Sequence, residues 1–171
     1  MSSFVAHTLV GGVIGQRVAP TVAGIAVGTF FALLPDVDYA LLWVRSEGFA
    51  VRWTHSVSFV VLAAGTMLWR RELFLIALLS GLSHLAMDTL VGVHRNPLLW
   101  PLMDRGLASP IGLLPSAGRL DPTNFYFWRN LLIEMGILLP LLAAMRAHGG
   151  LRIAALLVAG AFMVWSLSLA R

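Results

Sequence analysis

Six side chains capable of metal chemistry stand in or beside apolar runs of this chain: His7, Asp36, Asp38, His55, His84 and Asp88. Asp36 and Asp38 interrupt the stretch "TFFALLPDVDYALLW" at residues 29–43, just after Pro35. A charged carboxylate in such surroundings is costly unless a cation or hydrogen bonds compensate it. His84 and Asp88, in "SHLAMD", are spaced i, i+4, which puts both on one face of a helix. Three imidazoles and three carboxylates are a ligand set for zinc, manganese or iron, with one or two ions. Each residue alone also has an ordinary reading. A single membrane-helix histidine serves as a helix–helix hydrogen bond, and a single aspartate caps a turn. The case for a site therefore rests on whether the chain can bring all six to one place.

Composition sets the elements that must do so. Of 171 residues, 58% are hydrophobic and 12% charged, and the mean hydropathy is +0.84. Soluble domains carry about twice that charge fraction. We expect an all-α integral membrane protein, a compact bundle of about five to six transmembrane helices in a single domain over 1–171. Without cysteine, disulfides, thiolate ligands and thiol nucleophiles are excluded. The net charge of +4 comes from twelve arginines and no lysine. In an apolar chain this points to topology signals and lipid phosphates, not to nucleic acid. The first twenty residues lack a basic leader and a cleavage pattern and read as a retained helix.

Prolines and glycines divide the chain. Helices are expected over 3–18, 21–34, 56–69, 72–91, 130–146 and 151–170, with a loop at 39–54 carrying "YALLWV". Residues 1–92 would hold the metal-site helices and 130–171 a C-terminal hairpin. Between them the segment 93–129, rich in Pro, Gly, Arg and aromatics, suits an interfacial or re-entrant loop. Gly11 with Gly15, and Gly24 with Gly28, give a small-xxx-small spacing for close packing of the first two helices.

Folding the chain at its turns gives each candidate a depth. Call the end with Arg17, Arg70 and Arg71 the basic end. At about 1.5 Å per residue, His7, Asp36, His55, His84 and Asp88 each lie roughly 20 to 26 Å from it. In a core about 30 Å thick this is one layer near the opposite end. Asp38, two residues after Asp36, belongs to the same layer. Glu134 reaches that level on the fifth helix and is a supporting candidate. His94 and His148 fall in loops and read as solvated.

"LLPDVD", "RWTHS", "SHLAMD" and "PLLWPL", preceded by "AHTLVGGVIG", follow in an order that resembles the bacterial and archaeal LexA-regulated, membrane-bound, metal-dependent hydrolases. The resemblance covers residues 3–103. It implies His7, Asp36, Asp38, His55, His84 and Asp88 as metal ligands, and a prokaryotic cytoplasmic (inner) membrane. The chain departs from the family's His-Arg-Gly-x-Thr-His-Ser pattern. Here "AVRWTHS" has Ala50 for the leading histidine and the arginine at Arg52, leaving His94 as a substitute. The pattern is also remotely similar to zinc-dependent phospholipases C.

The expected function is therefore metal-dependent hydrolysis of a phosphoester or other head-group bond of a membrane lipid, by water that the ion activates. Zinc is the first choice of ion. Asp38 or Asp88 would accept the proton, Arg52 and Arg95 would hold the phosphate, and Thr54 and Ser56 would orient His55. The alternative is a proton- or ion-coupled transporter using the same cluster. Another is a structural subunit with a closed metal site. Arginine density at the helix ends favours a cytoplasmic basic end and an extracytoplasmic site, whereas a raw count of arginines favours the reverse.

Overall fold

A computed structural model describes residues 2–38, 52–92, 95–103, 105–116 and 121–169. Arg45, Ala50, His94 and Arg119, and most of the 39–54 loop, lie outside the described residues. Local capping starts the helices. Ser3 accepts the Ala6 N–H and opens α1, Phe4–Val18. Thr21 accepts the Gly24 N–H and opens α2, Val22–Leu33. Both caps satisfy amides that would otherwise be orphaned at a helix start. Pro35 cannot continue the α2 hydrogen-bond ladder, and the chain tightens into a 3-10 turn, Leu34–Asp36. A second 3-10 turn, Trp53–His55, leads through the Ser56 cap into α3, Val57–Gly65.

Helix α4, Arg71–Val91, ends at Gly92, whose φ of 71° is the left-handed conformation that glycine adopts freely. Helix α5, Phe125–Ala144, begins five residues before the expected start because the Asn124 side chain accepts the Tyr126 N–H. Helix α6, Gly149–Ser168, completes the chain.

The described residues are helical, with an isolated antiparallel bridge between Asn96 and Leu107 as their extended pairing. Three helices, α4, α5 and α6, are long and apolar enough to cross a membrane. This is fewer than the five to six spans expected. The 15 residues of α1, 12 of α2 and 9 of α3 rise only about 22, 18 and 14 Å. Proline and glycine stop these helices before they reach a core thickness. Thr66, Met67 and Leu68 each bond three residues back, so α3 gives way to a tighter turn before Arg70.

Helices α1 and α2 touch backbone to backbone. A methyl group on Gly11 or Gly15 would overlap the carbonyls of Gly28 and Gly24, and one on Gly28 would overlap that of Gly11. Gly81 gives α4 the same proximity to α3, since its methyl would lie 2.6 Å from Val60 Cγ1. Two apolar clusters then hold the layers. Phe31, Ala64 and Ala77 join α2, α3 and α4. Ala6, Met87, Val91, Leu114, Ile133 and Ile137 join α1, α4, α5 and the connection.

The connection folds back over the end that carries the candidate residues. Its Leu98 carbonyl accepts the Val57 N–H (2.9 Å), and the Trp100 carbonyl accepts the Ser58 hydroxyl. Ser109 N and Leu114 N donate to the Thr89 and Leu90 carbonyls (3.1 and 3.3 Å). These bonds satisfy the last turn of α4, where carbonyls lack helical partners.

Candidate metal centre

Three elements deliver four ligand groups to a common point. Asp36 comes from the 3-10 turn after α2, His55 from the turn before α3, and His84 and Asp88 from successive turns of α4. All four are buried, and one ligand atom from each lies within 4.8 Å of the other three. His55 Nε2 is 3.3 Å from His84 Nε2, 3.3 Å from Asp36 Oδ1 and 3.5 Å from Asp88 Oδ2. His84 Nε2 is 3.7 Å from each of those carboxylate oxygens. A tetrahedral ion with ligands at about 2.0–2.1 Å has ligand–ligand edges of about 3.3–3.4 Å. Five of the six edges thus fall at or just above that size.

The hydrogen bonding around the point supports the same reading. Asp36 Oδ1, Asp36 Oδ2 and Asp88 Oδ2 are buried and accept no hydrogen bond. Burying such oxygens is costly without a cation. His84 Nδ1 donates to the Ala32 carbonyl (2.7 Å). Because a carbonyl only accepts, this fixes the proton on Nδ1 and turns the Nε2 lone pair inward. His55 Nδ1 faces Thr54 Oγ1 (3.2 Å) and Asp38 Oδ2 (3.7 Å), which leaves its Nε2 lone pair on the inner side too. The donor set fits a divalent ion: Asp36, His55, His84 and Asp88 form a buried group that could hold one.

The other two expected ligands sit against this group. The His7 ring stacks on His84, with centroids 3.8 Å apart and planes 18° from parallel. His7 Nε2 meets Ser2 Oγ (2.8 Å) and Asp88 Oδ1 (3.4 Å), while Nδ1 is buried without a hydrogen bond. Asp38 is engaged by Arg52, whose Nε and Nη2 donate to its two oxygens (2.7 and 3.2 Å). Arg52 Nη2 also donates to His55 Nε2 (2.7 Å) and stands 3.6 Å from Asp36 Oδ1. The guanidinium therefore holds the lone pair that an ion would take. Its side chain is 25% exposed, against 7% or less for the carboxylates and imidazoles it touches, so Arg52 forms the outer edge of the cluster.

The remaining candidates are placed differently. Thr54 is buried beside the His55 ring. Ser56 is buried, but its hydroxyl donates to the Trp53 carbonyl and accepts the Phe59 N–H, so it caps α3 and does not touch the ring. Arg95 is exposed on the connection, beside Gly106. Among the described residues no hydrogen bond or ion pair links it to the cluster. His148 is exposed before α6.

Ser2 and Glu134 carry more than the sequence reading assigned to them. Ser2 N donates to Asp88 Oδ1 (2.9 Å). Glu134, fully buried on α5, accepts the Ser3 N–H at both oxygens (3.0 and 3.1 Å). A carboxylate inside an otherwise apolar helix was the available signal for Glu134. Ser2 had none, because its role depends on a contact 86 residues away. Comparison with protein-family models, with curated proteins and with solved structures gives no match. What this centre can do is therefore argued from its own geometry.

Proposed function

We propose that the protein is a membrane-embedded, metal-dependent hydrolase acting on a phosphoester or other head-group bond of a lipid. One observation carries the reading: two imidazole nitrogens and two carboxylate oxygens converge within 4.8 Å of one another, and the oxygens lack hydrogen bonds. Asp36, His55, His84 and Asp88 would hold the ion, with zinc the best match to two nitrogen and two oxygen donors. A divalent ion there would supply Lewis acidity and a water acidified towards neutral pH.

The chain's own groups supply the rest. Asp38 lies beside the ligand set without being one of its four atoms, and it is oriented by two bonds from Arg52. It is the proton acceptor. Arg52 stands between the buried group and the exterior. Its Nη2 can leave His55 while Nε remains on Asp38, which aims the guanidinium at phosphate oxygens. The Ala32 carbonyl holds His84 in the tautomer that ligation needs, and Thr54 beside Nδ1 orients the His55 ring. Trp53, Phe59 and Trp100 pack together at the same end, an aromatic group suited to the membrane interface.

The three apolar helices support placement in a membrane. The basic end, on short turns, would face the cytoplasm and the centre the opposite side. A transport path needs polar groups at successive depths. Below His84, α4 buries Gly81, Ser80, Ala77 and Ile76, which offer a single hydroxyl. That favours a hydrolase over a transporter.

The test is metal content by mass spectrometry on detergent-purified wild type, His84→Ala and Asp36→Ala, followed by phospholipid hydrolysis assays. Stoichiometric metal in wild type, lost in both variants, with metal-dependent release of a head-group product, is the expected result. Folded wild type that takes up no supplied divalent ion would overturn the reading.

A further inference from the structure

A groove of about 280 Å³ runs between α1 and α5. Its walls are Leu9 and Val13 on α1, and Leu139 and Leu142 on α5. Arg17 and Arg146 stand at one end. Leu9, Val13 and Arg17 recur at i, i+4, i+8 and share one face of α1, Leu139 and Leu142 are spaced i, i+3 on α5, and Arg146 stands in the turn just after that helix. From Leu9 to Arg17 the helical rise is about 12 Å, most of one leaflet's half of a hydrocarbon core about 30 Å thick.

The two arginines share one end of the groove because Arg146 Nη2 donates to Gln16 Oε1 (2.9 Å), next to Arg17. Both are exposed, and among the described residues neither pairs with a carboxylate. The groove is thus apolar along its length and doubly cationic at its mouth. Pro140 lies between the wall residues Leu139 and Leu142 and removes one backbone bond from the α5 ladder there.

We infer that this groove is a binding site for one anionic phospholipid of the leaflet at the basic end, with its phosphate between Arg17 and Arg146 and an acyl chain along Leu9, Val13, Leu139 and Leu142. Paired guanidinium groups match phosphate oxygens in geometry as well as charge. The apolar walls suit a chain and give nothing to a free anion. His7 is ten residues from Arg17, roughly 15 Å along α1. The phosphate end of the site is therefore separate from the proposed hydrolytic centre, and the inference rests on the membrane placement alone.

Native mass spectrometry of chelator-treated protein in mild detergent tests this without reference to metal or activity. The probes are phosphatidylglycerol and phosphatidylcholine of equal chain length, and inorganic phosphate. Wild type should retain one phosphatidylglycerol per chain at least tenfold more tightly than phosphatidylcholine, and inorganic phosphate should not displace it. The double variant Arg17→Gln/Arg146→Gln should lose the preference, while Leu139→Trp, which fills the groove, should lose both lipids. Arg70→Gln/Arg71→Gln, at a different turn of the same end, should change neither. Equal retention of the two lipids overturns the proposal, and so does an equal loss in the Arg70/Arg71 variant. Displacement by millimolar inorganic phosphate would overturn it by showing a simple anion site.

Discussion

Helices α1 and α2, and α3 and α4, approach each other over glycines around enclosed polar groups, whereas α5 and α6 meet where the Phe162 ring lies over Gly136 and leave long apolar faces bare. Half of the most apolar stretch of α4 is buried within the protein, against 22% for α5 and 11% for α6. Leu151, Leu157 and Val164 on α6 are each more than two-thirds exposed. The first region spends its packing on holding imidazoles and carboxylates a few ångströms apart. The second presents side chains suited to lipid and sends one polar group, Glu134, into the first. A precise site thus sits on close backbone contact, and a hairpin with bare apolar faces works with looser contacts.

Placing a side chain at the α1–α2 contact should break that difference with the largest effect. Gly11→Leu forces a Cβ into the Gly28 carbonyl and the Ala32 methyl group. Backbone cannot yield as a side chain can, so we expect a loss of roughly 3 kcal/mol. Because Ala32 also orients His84, metal binding should go with it. Gly160→Ala on α6, where nothing lies within 4 Å, should be neutral or slightly stabilising. Thermal denaturation of the two variants in one detergent makes the comparison, and equal losses would refute the contrast.

Next comes the polar link between the regions. Glu134→Ala removes both acceptors of the buried Ser3 N–H and should cost about 1–3 kcal/mol. Glu134→Gln, which keeps one acceptor, should recover most of it. If the Gln variant is as unstable as the Ala variant, the link is not this hydrogen bond.

Arg52 offers a subtler change within the first region. Its Nη2 occupies the His55 Nε2 lone pair, so Arg52→Gln should tighten metal binding about tenfold, the scale of one charge-assisted hydrogen bond. Competition against a calibrated chelator measures it. Weaker binding would mean that Arg52 supports the ion and does not compete with it. The smallest effect is expected on the exposed apolar face of α6: Leu157→Ala, at 70% exposure, should change stability by no more than about 0.5 kcal/mol. A larger loss in detergent would show that this face packs against protein.

Much of the site was legible before the fold, for a physical reason. Helical rise is nearly constant, so counting residues from Pro20, Arg70 and Arg71 put His7, Asp36, His55, His84 and Asp88 at one expected level. The i, i+4 rule likewise paired His84 with Asp88. The number of spans was less legible. Hydropathy reads α1, α2 and α3 as apolar, yet their lengths are set by single residues, Pro20, Pro35 and Gly65, and by the 3-10 turns that follow.

By itself, then, the sequence determined the helical class, the absence of thiol chemistry, the glycine seam and the depth of six metal-capable side chains. These depend on periodicity, composition and local sterics, which act over a few residues. Only the tertiary structure decided which four atoms converge, that Arg52 bridges Asp38 and His55, and that Ser56 is a cap. It also brought Ser2 and Glu134 to the cluster from opposite ends of the chain. Those outcomes turn on side-chain direction and on contacts between residues up to 131 positions apart, where a difference of one rotamer exchanges a ligand for a neighbour.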